Sequence, residues 1–139
     1  MRAGTVMPRL LLRITFVLFT TAFLSIIVIA DRGHADLFWD LVGRVPCGDK
    51  LGHLGLVGTL SFLLNLLLEG RPAPGRWRPM MLGSLLLGVF MTLEEASQAF
   101  IPHRSFDLFD GLANIIGVFC GEGLVRMLPV RRPQATLVH

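Results

Sequence analysis

The sequence predicts an all-α, polytopic membrane protein: a bundle of four transmembrane helices with an amphipathic connector on the outer leaflet. Two observations on composition and one on patterning carry that expectation. Of the 139 residues, 53% are hydrophobic and 17% charged, whereas a soluble domain carries about 25% charged residues. The mean hydropathy is +0.63. The apolar residues lie in long blocks rather than at the scattered positions of a globular core, and each block approaches the ~20 residues that a spanning helix needs.

The first expected span, residues 10–30, follows Arg2, Arg9 and Arg13. Its apolar core from Ile14 to Ala30 is longer than the apolar region of a signal peptide, so it reads as a retained anchor. In the loop that follows, Leu37, Phe38, Leu41, Val42 and Val45 fall on one helical face with Asp36 and Asp40 elsewhere, which predicts the short interfacial connector. The second span is residues 50–68. Pro72, Pro74 and Gly75 then give turn chemistry, and Trp77 between Arg76 and Arg78 suits an interface anchor. The third span is residues 80–101, whose uninterrupted apolar part stops at Leu93 and reaches spanning length only by running through Glu94, Glu95 and Gln98. Pro102 breaks that helix and a tight hairpin leads into the fourth span, residues 106–128, with Ser105 as its expected cap and Asp107 in its first turn.

Charge orients these elements. The amino-terminal segment, the second connection and the carboxyl end hold nine basic residues against Glu69 and Glu122, whereas the opposite side is acidic. By the positive-inside rule both termini are cytoplasmic, in a single membrane domain of 1–139. The net charge of +3 is spread over single arginines with no aromatic-interleaved cluster, so no nucleic-acid partner is expected. Cys47 and Cys120 are too few, and too unlike in setting, for a disulfide framework.

Ionisable groups crowd the outer ends of the second, third and fourth spans. Charges inside a bilayer are costly, so they must sit at the interface, pair, or face a wet cavity. In the DKxxH string, Asp49 and His53 are one helical turn apart with Lys50 near. That pair suits proton transfer, and an Asp cap beside a hydrogen-bonded histidine would look the same. Adjacent Glu94 and Glu95 cannot share a face, so one points inward and the other reaches interfacial water. Gln98 is one turn from either. Asp110 and Asn114 continue the stripe from Asp107 into the fourth span, which then becomes the GxxxG pair Gly117 and Gly121, serving internal or intermolecular packing. Gly52, Gly55, Gly58, Ser84 and Gly88 are further expected close-packing positions, and Glu122 with Arg126 an ion pair along one helix.

The strings DKLGH at 49–53, EASQ at 95–98, IPHRSFD at 101–107 and DGLANIIG at 110–117 together resemble the VanZ-like family of small bacterial membrane proteins, over about residues 10–125. The resemblance implies a four-helix protein of the bacterial cytoplasmic membrane and a site at Asp49, Lys50, His53, Glu95, Gln98, Arg104, Asp107, Asp110 and Asn114, with Glu95 the inward glutamate. The family's namesake is associated with resistance to teicoplanin. Family members often carry a tyrosine where this chain has Val57, so no role of that hydroxyl transfers.

Three functions follow as expectations. In the first, an outer-face site handles a cell-envelope amphiphile, either a lipid-linked precursor or a glycopeptide- or lipopeptide-type antibiotic. Lys50 and Arg104 would then grip an anion, and in an enzymatic version His53, Asp49 and Glu95 would move protons. In the second, the cluster fixes helix packing in a non-catalytic scaffold subunit. In the third, His53, His103, a glutamate and Asp107 or Asp110 hold a metal, although no spacing is diagnostic and none is assigned. No cofactor signature is present, and membrane lipids are the expected surroundings.

Overall fold

The computed structural model describes residues 8–34, 46–102, 104 and 106–129. These residues form four α-helices and no strand: α1 (Arg9–Asp31), α2 (Gly48–Leu67), α3 (Leu82–Gln98) and α4 (Leu108–Met127). The expected interfacial connector falls mainly on residues 35–45, outside the described residues. Between α2 and α3 the chain doubles back through a 3-10 turn at Gly75–Trp77, closed by Ala73 N–H donating to Met80 O at 2.9 Å.

α1, α2 and α4 begin and end within two residues of their expected limits, and all three are long and apolar enough to cross a membrane. α3 is shorter than expected. Its 17 residues rise about 26 Å at 1.5 Å each, less than the ~30 Å hydrocarbon core. The reason lies at Pro102, because proline excludes its predecessor from helical geometry. The chain has already left the helix, with Phe100 and Ile101 N–H donating to Ser97 and Gln98 carbonyls at 3.0 and 3.1 Å.

Contacts at the ends set the directions of the helices. Arg9 Nη2 donates to Glu69 Oε1 at 2.7 Å, so α1 starts where α2 finishes. At the same end Met81 N–H donates to Glu122 Oε2 at 3.1 Å, and Arg126 donates to the Pro79 carbonyl and to Glu122. Glu122 thus pairs along its own helix and also satisfies the first turn of α3, whose opening N–H groups have no partner within the helix. Successive helices run antiparallel.

α2 and α4 make the closest helix pair. A Cβ on Gly121 would lie 2.3 Å from the Gly58 carbonyl oxygen, and one on Gly117 would lie 2.8 Å from the Leu54 carbonyl. Ser61 Oγ crosses the interface to donate to the Val118 carbonyl at 2.8 Å. The GxxxG face therefore serves packing inside the molecule. Gly52, Gly55 and Gly88 do not share this role, since a Cβ at any of them would meet nothing within 4 Å.

The packed interior is layered. Val57 and Leu60 of α2, Leu87 and Met91 of α3, and Val118 of α4 form an apolar layer, completed by Phe23 of α1. Toward the Glu122 end lies a buried row in which Asn65 Nδ2 donates to Ser84 Oγ at 2.8 Å and to Ser61 Oγ at 3.3 Å. Toward the other end lie His53, Glu95 and Asn114. Most of α1 remains exposed and apolar, including Leu10, Val17, Leu18 and Val28.

Gly121→Ala should lower stability by about 1–3 kcal/mol, the usual cost of overpacking a close contact, in denaturation of the detergent-solubilised protein. Gly123→Ala, where a Cβ has open space, should be neutral or gain up to about 1 kcal/mol from helix propensity. Equal losses at both positions would contradict the α2–α4 backbone contact.

Candidate functional site

Antiparallel packing brings the start of α2, the end of α3 and the start of α4 to one end of the molecule. Lys50 reaches across from α2. Its ammonium donates to Asp49 Oδ2 at 2.8 Å, Asp107 Oδ2 at 3.1 Å and Asp110 Oδ1 at 2.9 Å. An ammonium has three hydrogens, so all are committed to carboxylates. Asp107 carries two tasks at once, because its Oδ1 also accepts from Phe109 N–H at 2.8 Å and caps α4. The expected cap, Ser105, lies outside the described residues.

His53 does not pair with Asp49. Its Nδ1 lies 3.0 Å from Asn114 Oδ1 and its Nε2 lies 3.7 Å from Asp110 Oδ2, because Asp49 turns to Lys50 instead. Asn114 is 1% exposed, and its Nδ2 has no hydrogen-bond partner. Turning the amide over would exchange the roles of its two heads and leave the oxygen without a partner. One buried half of this carboxamide is unsatisfied in either orientation.

The second half of the cluster is built on α3. Glu95 is 3% exposed, and its Oε1 accepts from Asp107 N–H at 3.0 Å, which joins the two halves. Gln98 Nε2 donates to both Glu94 oxygens at 3.1 Å and stands 3.5 Å from Glu95 Oε2. Arg104 Nε donates to Gln98 Oε1 at 3.2 Å. Its Nη atoms face Asp31 Oδ1 at 3.6 Å and Glu94 Oε1 at 3.7 Å. The expected site residues Asp49, Lys50, His53, Glu95, Gln98, Arg104, Asp107, Asp110 and Asn114 are thus linked into one continuous set of contacts.

Two members were absent from the expected set. Glu94, expected to turn to interfacial water, keeps a side chain only 9% exposed because Gln98 and Arg104 draw it in. Asp31, the last residue of α1, faces Arg104. A charge directly after a long apolar run was the readable signal for it.

The electrostatics depart from an anion-gripping site. Asp31, Asp49, Glu94, Glu95, Asp107 and Asp110 surround two fixed cations, Lys50 and Arg104, which leaves a formal excess of four negative charges with His53 neutral. Among the described residues no three His, Cys, Asp or Glu side chains group as a metal site. His103, one of the considered ligands, lies outside them.

Beside this network an apolar groove of about 390 Å³ runs between α3 and α4. Its walls include Gly88, Met91, Leu112 and Val118, with Glu95 and Asn114 among the lining residues. A Cβ added at Gly111 would lie 3.7 Å from Glu95 Cγ, which puts the two residues at the same level of the groove. The apolar level runs on toward Gly88.

Asp107 stands just before α4, and its carboxyl is held below the usual carboxylate range, first by the Phe109 N–H and then by the Lys50 ammonium. A depressed folded value stabilises above the unfolded value of about 3.9, and this contribution is lost as pH falls through the folded value. Lys50→Met should therefore lower the melting temperature at pH 7, because Asp107 loses a charge-assisted partner. The deficit should shrink below about pH 4 as the carboxylates protonate. Thermal unfolding of both proteins across that range checks this, and a deficit independent of pH would contradict it.

The chain is 39% identical over 74 residues to an uncharacterized protein of the fission yeast Schizosaccharomyces pombe, a stretch that is 52% of this chain and 43% of the yeast protein. The match thus spans less than half the length of that relative. No family description matches the chain, and no solved structure matches it.

Proposed function

We propose that the chain is a VanZ-like membrane protein that crosses the bilayer four times and handles a cell-envelope amphiphile at the Glu95 end. The observation that carries this reading is the α3–α4 groove, apolar along its length, with buried Glu95 and the half-satisfied Asn114 in its wall. A network made only to lock helices would close on itself. Here buried Glu95 and Asn114 stand among the residues lining an otherwise apolar cavity of about 390 Å³, within the usual size of small-molecule sites.

Crossing by all four helices requires α3 to span despite its length. The apolar turn Ala99–Ile101 extends it, and local thinning of the bilayer accommodates short helices. In this reading, α1 starts and α4 finishes at the same end of the molecule, and the basic flanks there support cytoplasmic termini with the polar cluster outside. The expected amphiphiles are an envelope lipid or lipid-linked precursor, or a glycopeptide- or lipopeptide-type antibiotic, in a bacterial cytoplasmic membrane with a resistance role. The matched relative is eukaryotic, so amphiphile handling carries the proposal and the bacterial setting rests on the motif resemblance alone.

A scaffold role is the second reading, favoured by the complete use of the Lys50 hydrogens by three carboxylates. The two readings separate at Gly88, which lines the groove and whose Cβ would meet nothing within 4 Å. Gly88→Phe should leave the melting temperature within about 2 °C, since surface-like changes stay near ±0.5 kcal/mol. Photolabelling with a diazirine-bearing C12 alcohol should mark peptides containing Met91 to Ala96 or Gly111 to Val118 in the wild type and lose at least three-quarters of that signal in the variant. Labelling spread evenly over α1 and unchanged by Gly88→Phe would overturn amphiphile handling in favour of the scaffold.

A further inference from the structure

We infer that the groove selects a single-chain amphiphile whose head is a cationic amine and discriminates against phosphate heads. The inference rests on the amphiphile reading and narrows its head group, favouring among the expected amphiphiles an amine-bearing one over a phosphate-bearing lipid or precursor. It starts from which groups at the polar level remain able to bind. The Lys50 ammonium has no hydrogen left, since three carboxylates take all three. Arg104 is directed to Gln98, Glu94 and Asp31. A phosphate arriving at this level finds the cations of the described network, Lys50 and Arg104, already engaged and a formal excess of four negative charges within that network.

An amine finds the opposite. Glu95 lies in the groove wall with one oxygen bonded to Asp107 N–H and the other reached only by Gln98 at 3.5 Å. Glu95 is the one carboxylate among the described lining residues, and that second oxygen is the more weakly engaged of its two. An ammonium hydrogen bonded to it makes a charge-assisted contact of the strong kind where the local dielectric is low. Asn114, also among the lining residues, leaves its buried Nδ2 without a partner, a second and independent observation at the same wall. Cation complementarity with Glu95 sets the sign of the head, and Asn114 offers a contact to a neighbouring amide or hydroxyl of the same ligand.

The tail follows from direction. From Glu95 to Gly88 the α3 wall is about 10 Å long at 1.5 Å per residue, and over that length its lining side chains are Met91 and Thr92. Thr92 Oγ1 donates to the Gly88 carbonyl, which removes its hydrogen from the groove. Facing residues of α4 are Leu112, Ile115 and Val118. One alkyl chain fits the narrowing, apolar part, and its head then lies level with Glu95.

The test uses the full chain in detergent micelles, with empty-micelle subtraction, and compares dodecylamine, dodecanol and dodecyl phosphate by equilibrium dialysis at pH 7. Dodecylamine should bind saturably at one per chain and at least tenfold more tightly than dodecyl phosphate, with dodecanol between them. Glu95→Gln should reduce the amine-to-phosphate ratio to threefold or less, while Gly88→Phe should weaken all three probes alike. The wild-type ratio stands as a test on its own should Glu95→Gln fail to fold. Phosphate binding as tight as amine would overturn the head-group inference and leave the groove intact. No saturable binding of any probe, or binding indifferent to Gly88→Phe, would instead remove the groove reading beneath it.

Discussion

The close approach of the α2 and α4 backbones is the constraint on which the rest of the structure depends. With hydrogen in place of a side chain at Gly58, Gly117 and Gly121, carbonyl oxygens of one helix sit against the Cα positions of the other. That proximity lets a lysine on the first turn of α2 reach carboxylates on both sides of the α4 start. It also sets His53 opposite Asn114. In a bilayer, where lipid tails are as apolar as leucine, close van der Waals contact of this kind is a principal source of helix association. The polar network does not create the arrangement alone; it occupies an end that the glycine face has already brought together.

Much of this was legible because the signals repeat at helical spacing. Asp107, Asp110, Asn114, Gly117 and Gly121 advance by three and four residues along one stripe, and that stripe faces α2 in the structure. The lengths of α1, α2 and α4 followed from the extent of their apolar runs. The end of α3 was less legible, because Glu94 to Ile101 continues a helical pattern and the effect of Pro102 reaches back several residues. Pairing between helices was the hardest to read. Spacing puts Asp49 beside His53, yet the shorter reach to the Lys50 ammonium wins, and Asp110 from another helix becomes the carboxylate nearest the imidazole.

In the buried row of Ser61, Asn65 and Ser84, Ser84 was expected only as a close-packing position, and Ser61 and Asn65 were not singled out. Its signal was present in the four-residue step from Ser61 to Asn65, but an isolated amide in a leucine-rich run carries no sign of which neighbour will satisfy it. Val57 shows the converse. Fully buried within the apolar layer, it fills with a branched hydrocarbon the place where a phenol would add a polar group to that layer.

That layer has a consequence for how the molecule communicates with its surroundings. Val57, Met91 and Val118 supply no side-chain donor between the imidazole at one pole and the serine-asparagine row at the other. Among the described side chains a relay of hopping protons has no stepping stone across that layer. In the proposed reading, an amphiphile taken up at the acidic pole leaves by the mouth it entered or sideways between α3 and α4.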